Sequence, residues 1–173
     1  LRVMGISGCG ISYKLKYELL PPVYGNDAEP NGTLATAVAL NPDSSSAVGH
    51  VDFDHYGDNT DYYRVILAAS GAIDFLFKAE SNAAGSLRVT LYNSVGTQIT
   101  YQDVPTGAAH VPASTNVVFN GLAAGTYYIK FSSLNACGVS YSVNCNDDDD
   151  DGVCNYFDLC AGTPNGEGVN IDG

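Results

Sequence analysis

Five consecutive aspartates, Asp147 to Asp151, run directly into Gly152, and a further acid, Asp158, follows in the same segment. Neighbouring carboxylates about 6 Å apart repel by roughly 0.7 kcal/mol per pair even in water, so such a run holds a fold only with a counter-charge. Counted from Asp147, carboxylates occupy loop positions 1, 3 and 5 (Asp147, Asp149, Asp151), glycine occupies 6, Val153 occupies 7, Asn155 occupies 9 and Asp158 occupies 12. A calcium loop needs this arrangement: alternating oxygen donors, a glycine at the sharp turn, a backbone carbonyl at position 7 and a closing acid. The spacing therefore predicts a calcium ion with Asp147, Asp149, Asp151 and Asp158 as side-chain ligands and Val153 and Asn155 at the remaining positions. Asp148 and Asp150 are left for solvent or a neighbouring ion. A solvated acidic linker is the plainer reading of a charge run, but it requires neither the glycine nor the closing acid.

Three of the five cysteines, Cys145, Cys154 and Cys160, crowd into the last 29 residues. That density is typical of disulfide staples in an oxidising compartment, which places the chain outside the cell or on its surface. Cys145 and Cys154 bracket the aspartate run and are expected to bond. Zinc is a poorer reading, because there is no C-x2-C pair and no histidine nearby. Catalysis finds no support either: His50, His55 and His110 form no H-E-x-x-H, and no serine sits in a G-x-S-x-G elbow.

Charge divides the chain. Residues 1–145 hold all seven Lys and Arg against eleven acids, whereas residues 146–173 hold eight acids and no base. The acidic balance excludes nucleic acid and anionic membrane as partners, since both demand a basic face. No apolar run reaches the roughly 18 residues of a membrane span, so no membrane insertion is expected.

The elements that would position these residues read as strands. Runs rich in β-branched and aromatic residues, alternating in polarity and separated by Gly, Asn, Asp, Pro and Ser, fall at 48–53, 62–68, 72–78, 86–92, 98–102, 116–119, 126–132 and 139–144. The only competing helical period is a weak one over 34–40. The fold class is therefore all-β, an antiparallel sandwich or jelly roll with a short irregular calcium-binding tail. Residues 1–17 (LRVMGISGCGISYKLKY) also align without gaps on 129–145 (IKFSSLNACGVSYSVNC), sharing Cys-Gly-x-Ser-Tyr. Residues 1–20 thus read as the closing hairpin of a preceding repeat, or a donor-strand segment. A hairpin alone is marginal in water, so it must pack on its own sandwich or on a neighbouring copy. A Pro-containing linker over 21–26 joins it to the body.

Three landmarks, Asn26-Asp27-Ala28-Glu29-Pro30-Asn31-Gly32-Thr33, Gly57-Asp58-Asn59-Thr60-Asp61-Tyr62-Tyr63-Arg64 and Ala124-Gly125-Thr126-Tyr127-Tyr128-Ile129, stand in order along one segment. Together they make residues 27–145 resemble the bacterial pre-peptidase C-terminal domain, a β-sandwich of exported proteins related to the collagen-binding domains of clostridial collagenases. The resemblance implies a second calcium site with Asp27, Glu29, Asn31, Asp58 and Asp61 as ligands, although Gly32 stands where those relatives often carry a further acid. The tail, 146–173, resembles a bacterial thrombospondin type 3 repeat, with Ala161 where proline is usual.

Two functions are consistent with this sequence. One is a calcium-stabilised, non-catalytic structural or adhesive module of an exported protein, with neighbouring copies as partners and fibre assembly through the N-terminal strands. The other is an accessory domain that binds collagen or polysaccharide. Twelve tyrosines and no tryptophan suit the latter, and the adjacent pairs Tyr62-Tyr63 and Tyr127-Tyr128 each put one ring inward and one outward on a strand.

Overall fold

The computed structural model describes residue 24 and residues 27–40, 47–52, 58–81, 85–108, 111–135, 138–146 and 154–155. All eight strands read from the sequence are present: β2 Ala47–Val51, β3 Thr60–Leu67, β4 Gly71–Ser81, β5 Ser86–Asn93, β6 Gln98–Pro105, β8 Ala113–Leu122, β9 Gly125–Ser133 and β10 Val139–Cys145. Two further strands have only two residues each, β1 Val38–Ala39 and β7 Gly107–Ala108. The weak helical period over 34–40 yields a single 3-10 turn, Leu34–Thr36, which leads into β1.

The strands form two five-stranded sheets. The first has the order β1-β3-β9-β5-β6; the second runs β2-β10-β4, with β7 and β8 both pairing with β4. All the long pairings are antiparallel. The inner faces meet in one core, in which Phe131 of the first sheet is the hub. Its ring centroid lies 6.3 Å from that of Phe75, 5.2 Å from Phe77 and 4.9 Å from Tyr141, all on the second sheet. The alternation in the sequence is the cause: Tyr63, Val65 and Leu67 of β3, and Tyr127, Ile129 and Phe131 of β9, are buried, while their even-numbered neighbours are half-buried or exposed. The adjacent tyrosines divide as expected, Tyr63 and Tyr127 inward and Tyr62 and Tyr128 outward.

The turn at 93–96 shows why its residue types are required. Asn93 Oδ1 accepts from the amides of Val95 and Thr97, at 3.1 and 2.8 Å, and Gly96 takes φ +81°, a region that disfavours side chains.

One expectation needs correcting in its geometry. The stretch 129–145, on which residues 1–17 align, is not a hairpin. β9 pairs with β3 and β5 while β10 pairs with β2 and β4, so the chain crosses from one sheet to the other between them. Two apolar-alternating strands joined by a short connection look alike in sequence whether they pair or pack face to face. Residues 1–20 themselves lie outside the described residues.

Beyond β10, Cys145 and Cys154 are joined, with Sγ–Sγ 2.09 Å. Asn155 N donates to Asn146 O (2.9 Å), and the side-chain amides of Asn146 and Asn155 both donate to Asp74 Oδ2 of β4 (3.0 and 3.4 Å). The start of the tail is therefore fastened to the second sheet by a covalent link and a shared carboxylate. No helix among the described residues is long and apolar enough to cross a membrane.

Candidate metal centre

At one end of the sandwich the segment 27–31 lies against the start of β3. Tyr62 N donates to Asn31 O (3.0 Å) and Thr60 Oγ1 donates to Gly32 O (3.3 Å), which holds the two stretches side by side. Asp58 lies two residues before Thr60, the first residue of β3, and Asp61 is the second residue of that strand, on the inward stripe continued by Tyr63, Val65 and Leu67. The fold thus places a carboxylate where the pattern calls for a core side chain.

One oxygen from each of Asp27, Glu29 and Asp61 lies within 4.8 Å of the others. Two oxygens bound to one calcium ion at 2.3–2.6 Å can be at most about 5 Å apart, so the cluster has the span of a single ion. Asp61 and Asn31 are fully buried, and Asp27 is half-buried. Burial raises the Asp58 carboxyl, which also stands near enough for the Glu29 and Asp27 charges to raise it further and for a hydrogen bond with Asp61 to lower it. Of the five residues named from the sequence, Asp27, Glu29 and Asp61 come together, Asn31 bonds to Asp27 and Glu29, and Asp58 lies beside them outside the three-oxygen group.

Part of the cluster's hydrogen-bonding capacity is satisfied by protein. Tyr63 Oη donates to Asp27 Oδ2 (2.8 Å), Tyr141 Oη donates to Asp61 Oδ2, and the two hydroxyls lie 3.1 Å apart. Asn31 Nδ2 donates to Asp27 Oδ2, and Asn31 N donates to Glu29 Oε2 (3.0 Å). Three oxygens remain: Asp27 Oδ1, Asn31 Oδ1 and Asp61 Oδ1 are buried without a hydrogen-bond partner. Leaving such a group unmade costs about 1–3 kcal/mol, and more when it is charged. The two ion pairs among the described residues, Arg88–Asp103 and His50–Asp52, lie elsewhere, so no described cation neutralises the cluster.

The electrostatics follow. Burial, and then the neighbouring Asp27, Asp58 and Glu29 charges, push the Asp61 carboxyl up to about 8 against the hydrogen bond from Tyr141. Asp58 is raised to about 6 by burial and by Glu29, and Asp27 is raised by burial. Tyr63 and Tyr141 are held protonated, chiefly by burial. The hydroxyls thus remain donors that orient one oxygen of each aspartate and leave the other free. Hard, mostly anionic oxygens with one neutral amide oxygen form the donor set of calcium or magnesium, not of zinc or copper.

Several residues that shape the centre escaped the sequence reading. Gly49 of β2 faces Tyr141, and a Cβ there would lie 2.3 Å from Tyr141 Oη and 3.1 Å from Asp27 Cγ. Only glycine leaves room for both. Ser140 Oγ donates to Tyr24 O (2.9 Å), tying down the chain just before the acidic segment. Ser140 and Tyr141 belong to the repeated Cys-Gly-x-Ser-Tyr, which was the available signal; its glycine, Gly138, takes φ +69°. Of the tail loop, Asp147, Asp149, Asp151, Val153 and Asp158 lie outside the described residues, and Asn155 directs its amide to Asp74.

No protein-family model and no curated protein matches the chain. Similar solved structures include the pre-peptidase C-terminal domain of a collagenase from Bacillus anthracis, at 17% identity, TM-score 0.42, covering 68% of this chain and 98% of that one. A family 35 carbohydrate-binding module from an environmental isolate is 20% identical, with TM-score 0.42 and coverage of 73% and 83%. A family 35 module from Clostridium thermocellum is 15% identical, with TM-score 0.36 and coverage of 56% and 90%.

Proposed function

We propose that this chain is a non-catalytic, calcium-stabilised module of an exported or surface protein, whose sandwich closes around an ion held by Asp27, Glu29, Asn31, Asp58 and Asp61. The observation that carries the reading is the convergence of three buried, unpartnered oxygens, Asp27 Oδ1, Asn31 Oδ1 and Asp61 Oδ1, in a cluster without a described counter-charge. A bound divalent ion supplies positive charge and oxygen ligation at that point. The protein's own part is structural: Tyr63 and Tyr141 orient the carboxylates, Gly49 gives them room, and Asn31 pins the incoming segment to β3. Joining 27–31 to 58–61 across the edge of the sandwich makes the centre a clasp between chain segments distant in sequence. The tail loop from Asp147 to Asp158 is proposed as a second calcium site, and residues 1–20 as the segment that meets a neighbouring copy or module.

Calorimetric titration of the full chain with calcium tests the clasp. The wild type is expected to bind one more ion than Asp61→Asn or Glu29→Gln, which leave the tail loop untouched. Equal stoichiometry in all three proteins would refute the assignment. A melting temperature indifferent to chelator would do the same.

A further inference from the structure

The outer face of the first sheet concentrates what is scarce among the other described residues. Among the described residues there are four lysines and arginines, and three of them, Arg64, Arg88 and Lys130, stand on this face in a chain of formal net charge -12. The fourth, Lys78, is on the opposite sheet. Strand register sets these cations in rows with aromatic rings. Tyr62, Lys130, Thr90 and Tyr101 form one row across β3, β9, β5 and β6. Arg64, Tyr128 and Tyr92 form the next, and Ser132, Arg88 and Asp103 flank them on the other side. Four strands at about 4.8 Å spacing give the face a width of roughly 14 Å.

The contacts within the face leave it receptive. The Tyr62 and Tyr92 rings are 6.0 Å apart and tilted, the Arg88 guanidinium lies 4.0 Å over the Tyr101 ring, and Lys130 Nζ lies 5.8 Å from the Tyr62 ring. Asp103 is the only carboxylate among the strand residues of this face, and Arg88 neutralises it through two hydrogen bonds of 2.7 and 2.8 Å. Arg64 is exposed, with no ion-pair partner among the described residues. Tyr101 and Ile99 are about half exposed, at 50% and 46%. The face therefore offers flat rings for stacking beside a net charge of about two, in a chain of formal net charge -12.

We propose that this face binds an acidic polysaccharide, with the carboxylate-bearing sugar rings of a uronic-acid polymer lying across Tyr62, Tyr92, Tyr101 and Tyr128 and their carboxylates meeting Arg64 and Lys130. Sparse charge decides between polyanions. A uronate chain carries one charge per ring or every second ring, which two uncompensated cations match. A nucleic acid strand carries a phosphate on every residue, against which the remaining acidic surface works. Aromatic and arginine side chains are also the types that dominate binding energy at such surfaces. The face is on the opposite side of the first sheet from Asp61 and Tyr63, and the proposal goes beyond the calcium reading.

The test uses the full chain with calcium present, titrated with short oligogalacturonides, hyaluronan oligosaccharides, neutral dextran and single-stranded poly(dT). Binding is expected to at least one of the two uronate probes, to weaken with added salt, and to be absent with dextran. Tyr101→Ala, Arg64→Gln and Lys130→Gln are each expected to weaken it by about fivefold or more, while Lys78→Gln leaves it unchanged. No binding to either uronate probe overturns the proposal. It also fails if dextran binds as well, if poly(dT) binds more tightly, or if the face variants behave as Lys78→Gln. Unchanged melting temperatures of the variants show that any loss belongs to the face rather than to the fold.

Discussion

Changing the pH with and without calcium tests the clasp through the sign of its effect. In the ion-free domain the buried Asp61 carboxyl holds its proton up to about pH 8, whereas the same group in the unfolded chain releases it near 3.8. Between those values the folded state binds one more proton than the unfolded state, so stability falls as pH rises, by about 1.4 kcal/mol for each pH step of one. From pH 5 to pH 7 this amounts to about 3 kcal/mol, and Asp58, raised to about 6, adds to the same trend over the lower part of the range. For a chain of this size the loss corresponds to a melting temperature lower by about 10 °C. Calcium reverses the preference, because it favours the ionised carboxylates; with the ion bound, stability is expected to be flat or to rise over the same interval. At pH 7, about 1 mM calcium against a dissociation constant of about 0.1 mM adds roughly 1.4 kcal/mol per site. The assay is thermal melting followed by circular dichroism at pH 5, 6 and 7, in chelator and in calcium. Asp61→Asn, measured in the same two conditions, separates the contribution of the cluster from that of every other group, the tail loop included. Asp61→Asn keeps an oxygen that can accept from Tyr141 and carries no charge; it is expected to melt higher than the wild type in chelator and to lose most of the slope. Parallel slopes with and without calcium, or an Asp61→Asn protein weaker than the wild type in chelator, would refute the reasoning.

Three other perturbations probe the parts around the clasp. Gly49→Ala puts a methyl group 2.3 Å from Tyr141 Oη, and is expected to destabilise by about 1–3 kcal/mol and to weaken calcium binding, read by melting and calorimetry. Tyr141→Phe removes the donor to Asp61 while keeping the ring stacked on Phe77 at 5.5 Å; the expected cost is about 1–3 kcal/mol in denaturant titration, and a cost of zero would deny the hydroxyl its orienting role. Phe131→Ala empties the hub between the sheets and is expected to cost about 3–5 kcal/mol, lowering the denaturation midpoint without selectively altering calcium stoichiometry.

The strands were legible because burial on one face writes itself into alternate residues, and the eight segments read from polarity all recur. Their ends were less legible. β8 was expected over 116–119 and extends over Ala113–Leu122, since Ala113 and Ser114 lack β-forming side chains and are held by pairing with the long β4, and Gly121 falls in the irregular part of that ladder. β1 and β7, of two residues each, exist only through parallel contacts with β3 and β4 and leave no local pattern. The metal centre divides in the same way. Acids at alternate positions from Asp27 and the pair Asp58 and Asp61 could be found by spacing and resemblance, whereas Gly49 and Tyr141 matter because β2 and β10 bring them to the same place. Asp74, which receives Asn146 and Asn155, carried no signal beyond being a polar residue on a strand.

The tie between Ser140 and Tyr24 has a mechanical consequence. Tyr24 is held at one end of β10 and Cys145 leaves from the other, about 17 Å away for five residues of extended chain. A pull on the chain through these two points acts along the axis of β10, which is flanked on both sides by antiparallel partners, β2 and β4. The ladders are then loaded in shear, with many hydrogen bonds strained together instead of one after another. Hydrogen bonds loaded together in this way resist stretching along the strand better than peeling from an edge.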